Sequence, residues 1–254
     1  GEEDDDDVKN ARQLLEGELG AVVVTGKHKI VGGGWTHFVA KKLGRSLPVV
    51  LAMVTPDVPI LTSEFLVECR KTNHLVLDMR PFEWTTAEAA SVSQQTIISA
   101  VKKWKGSEEA PRVAPFEGWM VYLFSAKKSD KTSFLRAILQ QGGATILEEA
   151  SERMTHYVLI SESYSQRSVA RQIMGFEVDM IRSSKAAFLR SDYIVDYVLS
   201  GGRVDHGRYL IEIDNDDNLE EAKNVEAAQK EASSKRRRRA LRRRTRSSKG
   251  GGGR

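Results

Sequence analysis

The chain has 254 residues, of which 40% are apolar and 29% charged, and its formal net charge is +4. This length predicts one or two ordinary domains, and the longest apolar stretches, such as 49–54, are far shorter than the roughly 18 residues of a membrane span. The acidic N-terminus argues against a signal peptide, and the single cysteine, Cys69, excludes an internal disulfide framework and indicates a reducing compartment. We therefore expect a soluble protein without membrane contact.

Four short motifs occur twice in the same order along the chain. The first copy contains Leu14-Leu15, 20–24 (Gly-Ala-Val-Val-Val), 36–39 (Thr-His-Phe-Val) and 63–69 (Ser-Glu-Phe-Leu-Val-Glu-Cys). The second copy contains 135–139, 143–147 (Gly-Ala-Thr-Ile-Leu), 155–158 (Thr-His-Tyr-Val) and 191–197 (Ser-Asp-Tyr-Ile-Val-Asp-Tyr). The repetition predicts two similar modules in tandem.

Each copy has the alternating helices and strands of an α/β module. The first copy predicts helix 8–19, strands 21–25 and 35–40, helix 47–54, strand 59–61 and helix 63–71. The second predicts strand 119–124, helix 134–141, strands 144–147 and 156–160, and helices 165–174 and 192–199. Such an alternation is typical of a small parallel sheet covered by helices on both faces.

The two copies differ at their beginning. The second copy opens with strand 119–124, whereas only the acidic run 2–7 precedes the first helix of the first copy, so its partner strand lies upstream or is missing. We divide the chain into an acidic disordered segment 1–7, a first module 8–83, a linker 84–115 with a helix over 86–104, a second module 116–213 and a charged tail 214–254.

This arrangement resembles a tandem BRCT repeat, the phosphopeptide-reading module of DNA-damage mediator and checkpoint proteins. The resemblance covers 8–213 and depends on the glycine turn after the first helix, the Thr-His-aromatic-Val strand and the last helix. In that helix Phe65 and Tyr193 take the position of the family's tryptophan. It implies four parallel strands and three helices per module, packed head to tail. We expect the helix that begins at Ser63 to meet the second copy in one apolar interface.

In phosphoserine-binding members of that family, the first module supplies an Arg-Thr-x-Lys run at the start of its second helix. Arg45 and Ser46 match the first two residues, which hold the peptide main chain and the phosphate, whereas Pro48 replaces the lysine. Lys41 or Lys42 would have to offset that loss, because a phosphate carries about −1.5 to −2 charges. An ordinary N-cap explains Ser46 equally well.

We expect no enzymatic activity, cofactor or metal. Gly20 and Gly26-Lys27 are spaced wrongly for a phosphate-binding loop, and His28 stands where a Ser or Thr would reach the metal. No Cys/His cluster has metal-ligand spacing, and no nucleophile is accompanied by a recognisable base. His37 and His156 are interpreted as core groups of their strands.

The basic charge is concentrated in the last twenty residues. Segment 235–254 holds eleven basic residues and no acid, which leaves −7 for the rest of the chain. Two basic clusters suit a nuclear-localisation signal or sequence-independent binding of DNA or RNA, and a solvated extension without such a partner is the alternative. The clusters are Lys235, Arg236, Arg237, Arg238, Arg239, Arg242, Arg243, Arg244 and Arg246.

The sequence predicts a nuclear scaffold that binds phosphorylated protein partners, in DNA-damage signalling or chromosome maintenance, with a tail that adds nucleic-acid affinity. The rival hypothesis is a nucleic-acid-binding, chromatin-binding or chromosome-segregation protein whose repeats make phosphorylation-independent contacts with other proteins. Pro48 favours the rival, whereas Arg45 and Ser46 favour the phosphate reader.

Overall fold

The computed structural model describes residues 10, 13–18, 20–24, 30–85, 91–106, 110–125, 129–149, 153–160 and 186–211. One compact unit spans Gly1–Glu162 and Asp179–Ile211, and the other, Ser163–Val178 with Glu212–Arg254, lies outside the described residues. The predicted acidic segment, the helix over 165–174 and the basic tail also lie outside them. No helix within the described residues is long and apolar enough to cross a bilayer.

The strands and longer helices that the structure describes in the first module are two short parallel strands and two helices. Strand β1 is Phe38–Val39, helix α1 is Leu47–Val54, strand β2 is Ile60–Leu61 and helix α2 is Glu64–Thr72. β1 pairs with β2. Upstream, Gln13–Glu18 forms a turn of π-helix, which agrees with part of the predicted helix 8–19.

A helix joins the two modules. Helix α3, Val92–Lys105, begins after Ser91, whose hydroxyl accepts a hydrogen bond from the Gln94 amide at 3.2 Å, and ends at Gly106. Ile98, Ala100, Val101 and Trp104 form its buried face. The predicted linker helix therefore exists, and its described part starts later than the sequence pattern suggested.

The second module is built on a parallel sheet. Its strands are β3 (Met120–Ser125), β4 (Thr145–Leu147), β5 (His156–Ile160) and β6 (Ala187–Arg190). They lie in the order β4-β3-β5-β6, so the first strand of the module is central. Its described helices are α4 (Asp130–Gln141) and α5 (Asp192–Leu199).

Helix α1 lies at the centre of the contact between the modules. Its sequence, Leu-Pro-Val-Val-Leu-Ala-Met-Val, is apolar all round, and its residues from Val49 to Val54 are buried. A helix with this pattern needs apolar partners on all sides. It packs against α4, α5 and α3, and α3 also packs against α5, so one hydrophobic core includes residues from both modules.

The expected interface through the helix that begins at Ser63 is wrong. Phe65 and Cys69 of α2 form a separate small cluster with Leu61 inside the first module, and α1 makes the contact with the second module instead. Phe65 and Cys69 are the buried residues of α2, and its other residues are partly or fully exposed. Phe65 and Tyr193 are nevertheless buried, as the repeat predicts.

The segment predicted as strand 21–25 forms no strand over its described residues. Gly20 adopts the left-handed conformation that ends the preceding helix, and the Ala21 amide donates to the Leu15 carbonyl at 2.7 Å. The next residues, 22–24, have no strand pairing. The equivalent segment of the second module is β4, which pairs with β3.

Candidate functional site

The candidate site lies at the start of α1, where the chain turns from an extended backbone into the helix. Ser46 occupies the N-cap position with φ −106° and ψ 143°, and Pro48 stands in the first turn, where its missing amide costs no helical hydrogen bond. The Ser46 side chain is exposed and makes no capping hydrogen bond to the helix. An N-cap serine ordinarily accepts from an amide of the first turn, so the exposed Ser46 hydroxyl lacks its usual partner in the helix.

Arg45 connects this turn to the second module. Its guanidinium lies 3.1 Å from a carboxylate oxygen of Asp196 and 4.0 Å from one of Asp192, both on α5. Lys131 of α4 lies 3.6 Å from the same Asp192 oxygen. Two cations and two anions therefore cancel beside the Ser46 turn, and any anion that approaches Arg45 competes with these carboxylates.

Tyr209 completes the cluster from the C-terminal side of the second module. Its hydroxyl donates to the Asp196 carboxylate at 2.7 Å, and this hydrogen bond, with burial, raises the pKa of Tyr209. Asp196 thus holds both a guanidinium and a phenol. We call Arg45, Lys131, Asp192, Asp196 and Tyr209 the inter-module polar cluster.

Arg45 is the one residue of this cluster that the sequence analysis predicted as a site residue. The Asp192 side chain is 57% exposed, whereas that of Asp196 is 21% exposed. The spacing of Asp192 and Asp196 could have indicated the cluster, because residues four apart lie on the same face of a helix.

The other predicted site residues take different places. Lys41 and Lys42 are exposed in the segment between β1 and α1, upstream of Ser46. The basic tail residues, from Lys235 to Arg246, lie outside the described residues.

Two cations cover the opposite end of α1. The ammonium group of Lys105 donates to the Thr55 carbonyl at 2.5 Å and to the Val58 carbonyl at 2.7 Å. Arg112 donates to the Val54 carbonyl at 3.1 Å and to the Gln141 carbonyl of α4 at 3.2 Å. Cations are favourable at a helix C-terminus, where the carbonyl groups are unpaired. Burial, with the nearby Arg112, lowers the pKa of Lys105 to about 7.

His156 is a packed group of the second module. Its ring stacks on Trp119 with the centroids 3.7 Å apart, and its Nδ1 lies 2.8 Å from the Thr155 hydroxyl. Burial, with a contribution from His206, lowers the pKa of His156 to about 4. The ring is therefore neutral at neutral pH, in keeping with its interpretation as a core group.

The topology of the second module matches what the sequence resemblance implies. Four parallel strands lie in the order second, first, third, fourth, with a helix after the first strand and another after the last. Sequence motifs of the first module repeat those of the second, and their sheets are both parallel. The chain has a tandem BRCT-like fold.

Solved BRCT structures are similar to this chain. The BRCT5-BRCT6 domains of S. pombe Brc1 are 16% identical, and the match covers 77% of this chain and 87% of that one with a TM-score of 0.44. Rtt107p in complex with a phosphorylated histone is 13% identical, with 76% and 80% covered and a TM-score of 0.42. The C-terminal BRCT domain of human XRCC1 is 15% identical, with 39% and 95% covered and a TM-score of 0.29. No family model and no curated protein matches the sequence.

Proposed function

We propose that this chain is a non-enzymatic nuclear adaptor that binds a phosphorylated segment of a partner protein at the start of α1. The observation that carries the proposal is the exposed Ser46 N-cap, whose hydroxyl makes no hydrogen bond to the helix. A helix N-terminus attracts an anion through its first-turn amides and the helix dipole. A phosphoserine or phosphothreonine oxygen would accept a hydrogen bond from the Ser46 hydroxyl at this end of the helix.

The cations near the turn set the strength of this binding. Lys41 and Lys42 supply positive charge upstream of Ser46, whereas Arg45 is already paired with Asp196. A phosphopeptide that contacts Arg45 therefore competes with these carboxylates for the guanidinium. We expect a dissociation constant in the micromolar range, which corresponds to roughly −8 kcal/mol of binding free energy.

The test compares an array of phosphoserine peptides with the same peptides unphosphorylated, using the full chain. Binding should require the phosphate, and Ser46→Ala and Arg45→Ala should each cost on the order of 1 to 3 kcal/mol. The matched control is Ser63→Ala, because Ser63 is also an exposed N-cap without a capping hydrogen bond and begins the neighbouring helix α2. Equal binding of both peptide sets, or equal loss in the control, would contradict the proposal.

A further variant separates the role of Arg45 from that of the inter-module polar cluster. Asp196→Asn removes the carboxylate charge and retains an oxygen that can accept from Tyr209. If Arg45 binds the ligand, this variant should bind phosphopeptides more tightly, because the guanidinium no longer has an internal carboxylate 3.1 Å away. Weaker or unchanged binding of phosphopeptides would mean that Arg45 stabilises the contact between the modules and does not bind the ligand.

A second candidate function is nucleic-acid binding through the tail, and it is favoured by the eleven basic residues and no acid in 235–254. In this alternative the modules contact partners without phosphorylation, which suits Pro48 in place of lysine and the pairing of Arg45. DNA binding should fall steeply with salt, since each neutralised phosphate releases close to one counterion. The measurement is a DNA titration at two salt concentrations, with and without 235–254, together with localisation of both proteins.

A further inference from the structure

A cavity of about 270 Å³ lies between the linker helix α3 and the loop that follows α5. Four of its lining residues lie on α3 at spacings of four, three and four residues, so they form one stripe along the helix: Val92, Thr96, Ser99 and Lys103. Ser200, Gly201 and Arg203 line the other side. The cavity is therefore formed by residues other than those of the inter-module polar cluster.

The chemical character of this stripe changes along the helix. Val92, the first residue of α3, is 86% exposed and gives the stripe an apolar end. The Thr96 and Ser99 hydroxyls follow, and each donates to the carbonyl four residues earlier, at 3.1 and 2.8 Å. A hydroxyl that donates in this way keeps its lone pairs, which can accept a hydrogen bond from a main-chain amide of a ligand.

Lys103 and Arg203 form the cationic end of the cavity. The ammonium group of Lys103 donates to the Gly201 carbonyl at 2.8 Å and lies 4.5 Å from the centroid of the Trp104 ring. These contacts fix the position of the charge and use only one of the three ammonium protons. The Arg203 side chain is exposed, and its backbone amide donates to the Ser200 hydroxyl at 3.1 Å. Among the described residues, no carboxylate lies within ion-pair distance of either cation.

We propose that this cavity binds an extended acidic segment of a partner protein, with a carboxylate at Lys103 and Arg203 and an apolar side chain at Val92. Charge complementarity requires the acidic residue, because two cations without a carboxylate partner line one end. A positioned ammonium group also lowers the entropy lost when the carboxylate binds. This site is separate from the start of α1, and binding to it does not require phosphorylation.

The length of the stripe defines the spacing of the ligand motif. Val92 and Lys103 are eleven residues apart, which corresponds to about 16 Å along an α-helix. An extended peptide covers that distance in about five residues. The partner segment therefore carries an acidic residue and a large apolar residue about five positions apart, with main-chain amides over Thr96 and Ser99.

The probe is a seven-residue peptide with a leucine at one end, two glutamates at the other, Gly-Ser spacers between them and both termini blocked. The stripe does not define the direction of the peptide main chain, so the peptide is made in both directions. In an NMR titration of the full chain, one direction should shift the amides of Thr96, Ser99, Lys103 and 201–203 saturably. A control peptide with lysines in place of the glutamates should not, and equal shifts by the two peptides would overturn the proposal.

Variants at exposed positions locate the binding. Lys103 also stabilises the C-terminal end of α5 through the Gly201 carbonyl, so the charge reversal is made at Arg203. Arg203→Glu should weaken binding more than about tenfold, because it places like charges together. The matched control is Lys102→Glu, the same change at an exposed position of α3 outside the lining, and it should weaken binding less than about twofold.

A second pair of variants blocks the cavity without a change of charge. Ser99→Tyr fills the middle of the stripe and should abolish the peptide-induced shifts. Ser93→Tyr adds the same side chain at an exposed position of α3 outside the lining and should leave binding unchanged. Equal binding by these two variants would overturn the proposal.

The remaining outcomes identify other ligands. The acidic peptide can also bind the basic residues of 235–254, and that binding would not depend on Arg203. Equal affinity for the Arg203→Glu variant and the unsubstituted chain would therefore overturn the proposal, and so would the absence of saturable shifts at the cavity. A thymidine oligonucleotide that shifted the same amides more strongly than the peptide would assign the cavity to nucleic acid, which also overturns the proposal.

Discussion

Arg45 of the first module and Asp196 of the second lie 3.1 Å apart, although they are distant in sequence. The pair lies at the rim of the inter-module interface, with the Arg45 side chain 55% exposed. Solvent therefore screens the attraction. The same guanidinium belongs to the residue next to Ser46, the proposed phosphate-binding serine. Arg45 can therefore either pair with Asp196 or bind a phosphopeptide.

The first prediction measures this pair by a double-mutant cycle. Arg45→Ala, Asp196→Asn and the double variant should give a coupling energy below about 1 kcal/mol in chemical denaturation, and high salt should reduce it. The small value follows from the exposure of Arg45. A coupling of several kcal/mol, or one insensitive to salt, would mean that the pair is a principal element holding the modules together.

The second prediction concerns Lys105, whose pKa of about 7 lies below the ordinary 10.5 because the ammonium group is buried. Between pH 7 and 10.5 the unfolded chain binds more protons than the folded one, so stability should rise with pH by on the order of 1 kcal/mol per unit. Lys105→Met should abolish this rise in denaturation curves. Lys102→Met, on the exposed side of α3, is the control and should retain the rise.

The third prediction concerns His156, whose folded-state pKa of about 4 lies below the ordinary 6.5. Between these values the unfolded chain holds the extra proton, so the contribution of His156 to stability is complete above about pH 6.5 and is lost as the pH falls toward 4. His156→Gln should make stability in this range less dependent on pH. His74→Gln, at the exposed end of α2, should behave as the unsubstituted protein does.

The fourth prediction concerns Trp104, which is 1% exposed and lies in the shared core of the two modules. Its indole donates to the Val198 carbonyl at 2.8 Å. Trp104→Ala should destabilise the protein by about 3 to 5 kcal/mol, and Trp104→Phe should cost less because it retains most of the apolar volume. Leu77→Ala, at a position that is 86% exposed, should change stability by less than about 0.5 kcal/mol.

Helices with a clear apolar run and a clear end were predictable from the sequence. Helices 47–54 and 192–199 have the predicted bounds, because serine precedes each of them and their apolar residues are continuous or helically spaced. The start of α4 was predicted four residues late, at 134 and not at 130, since its first turn contains no apolar residue. Ser129 caps the helix by accepting a hydrogen bond from the Thr132 amide, and this N-cap residue indicated the true start that the apolar pattern missed.

Features that depend on distant contacts were not predictable. Strand 35–40 is reduced to Phe38–Val39, because a strand extends only where a neighbour pairs with it. The helix that forms the interface is α1 and not α2, and this depends on which apolar surfaces meet in the folded protein. The pairing of Arg45 with Asp196 of α5 likewise joins residues that are far apart in sequence, so the sequence pattern does not indicate it.

The burial of α1 on all sides limits how this protein can evolve. A gene fragment that encoded the first module alone would lack α4 and α5, against which the apolar helix α1 packs. We expect such a fragment to aggregate, and a first module joined to a different second module would need an α4 and an α5 that fit α1. We therefore expect the two halves to be constrained together at this contact and to diverge more freely on their outer surfaces.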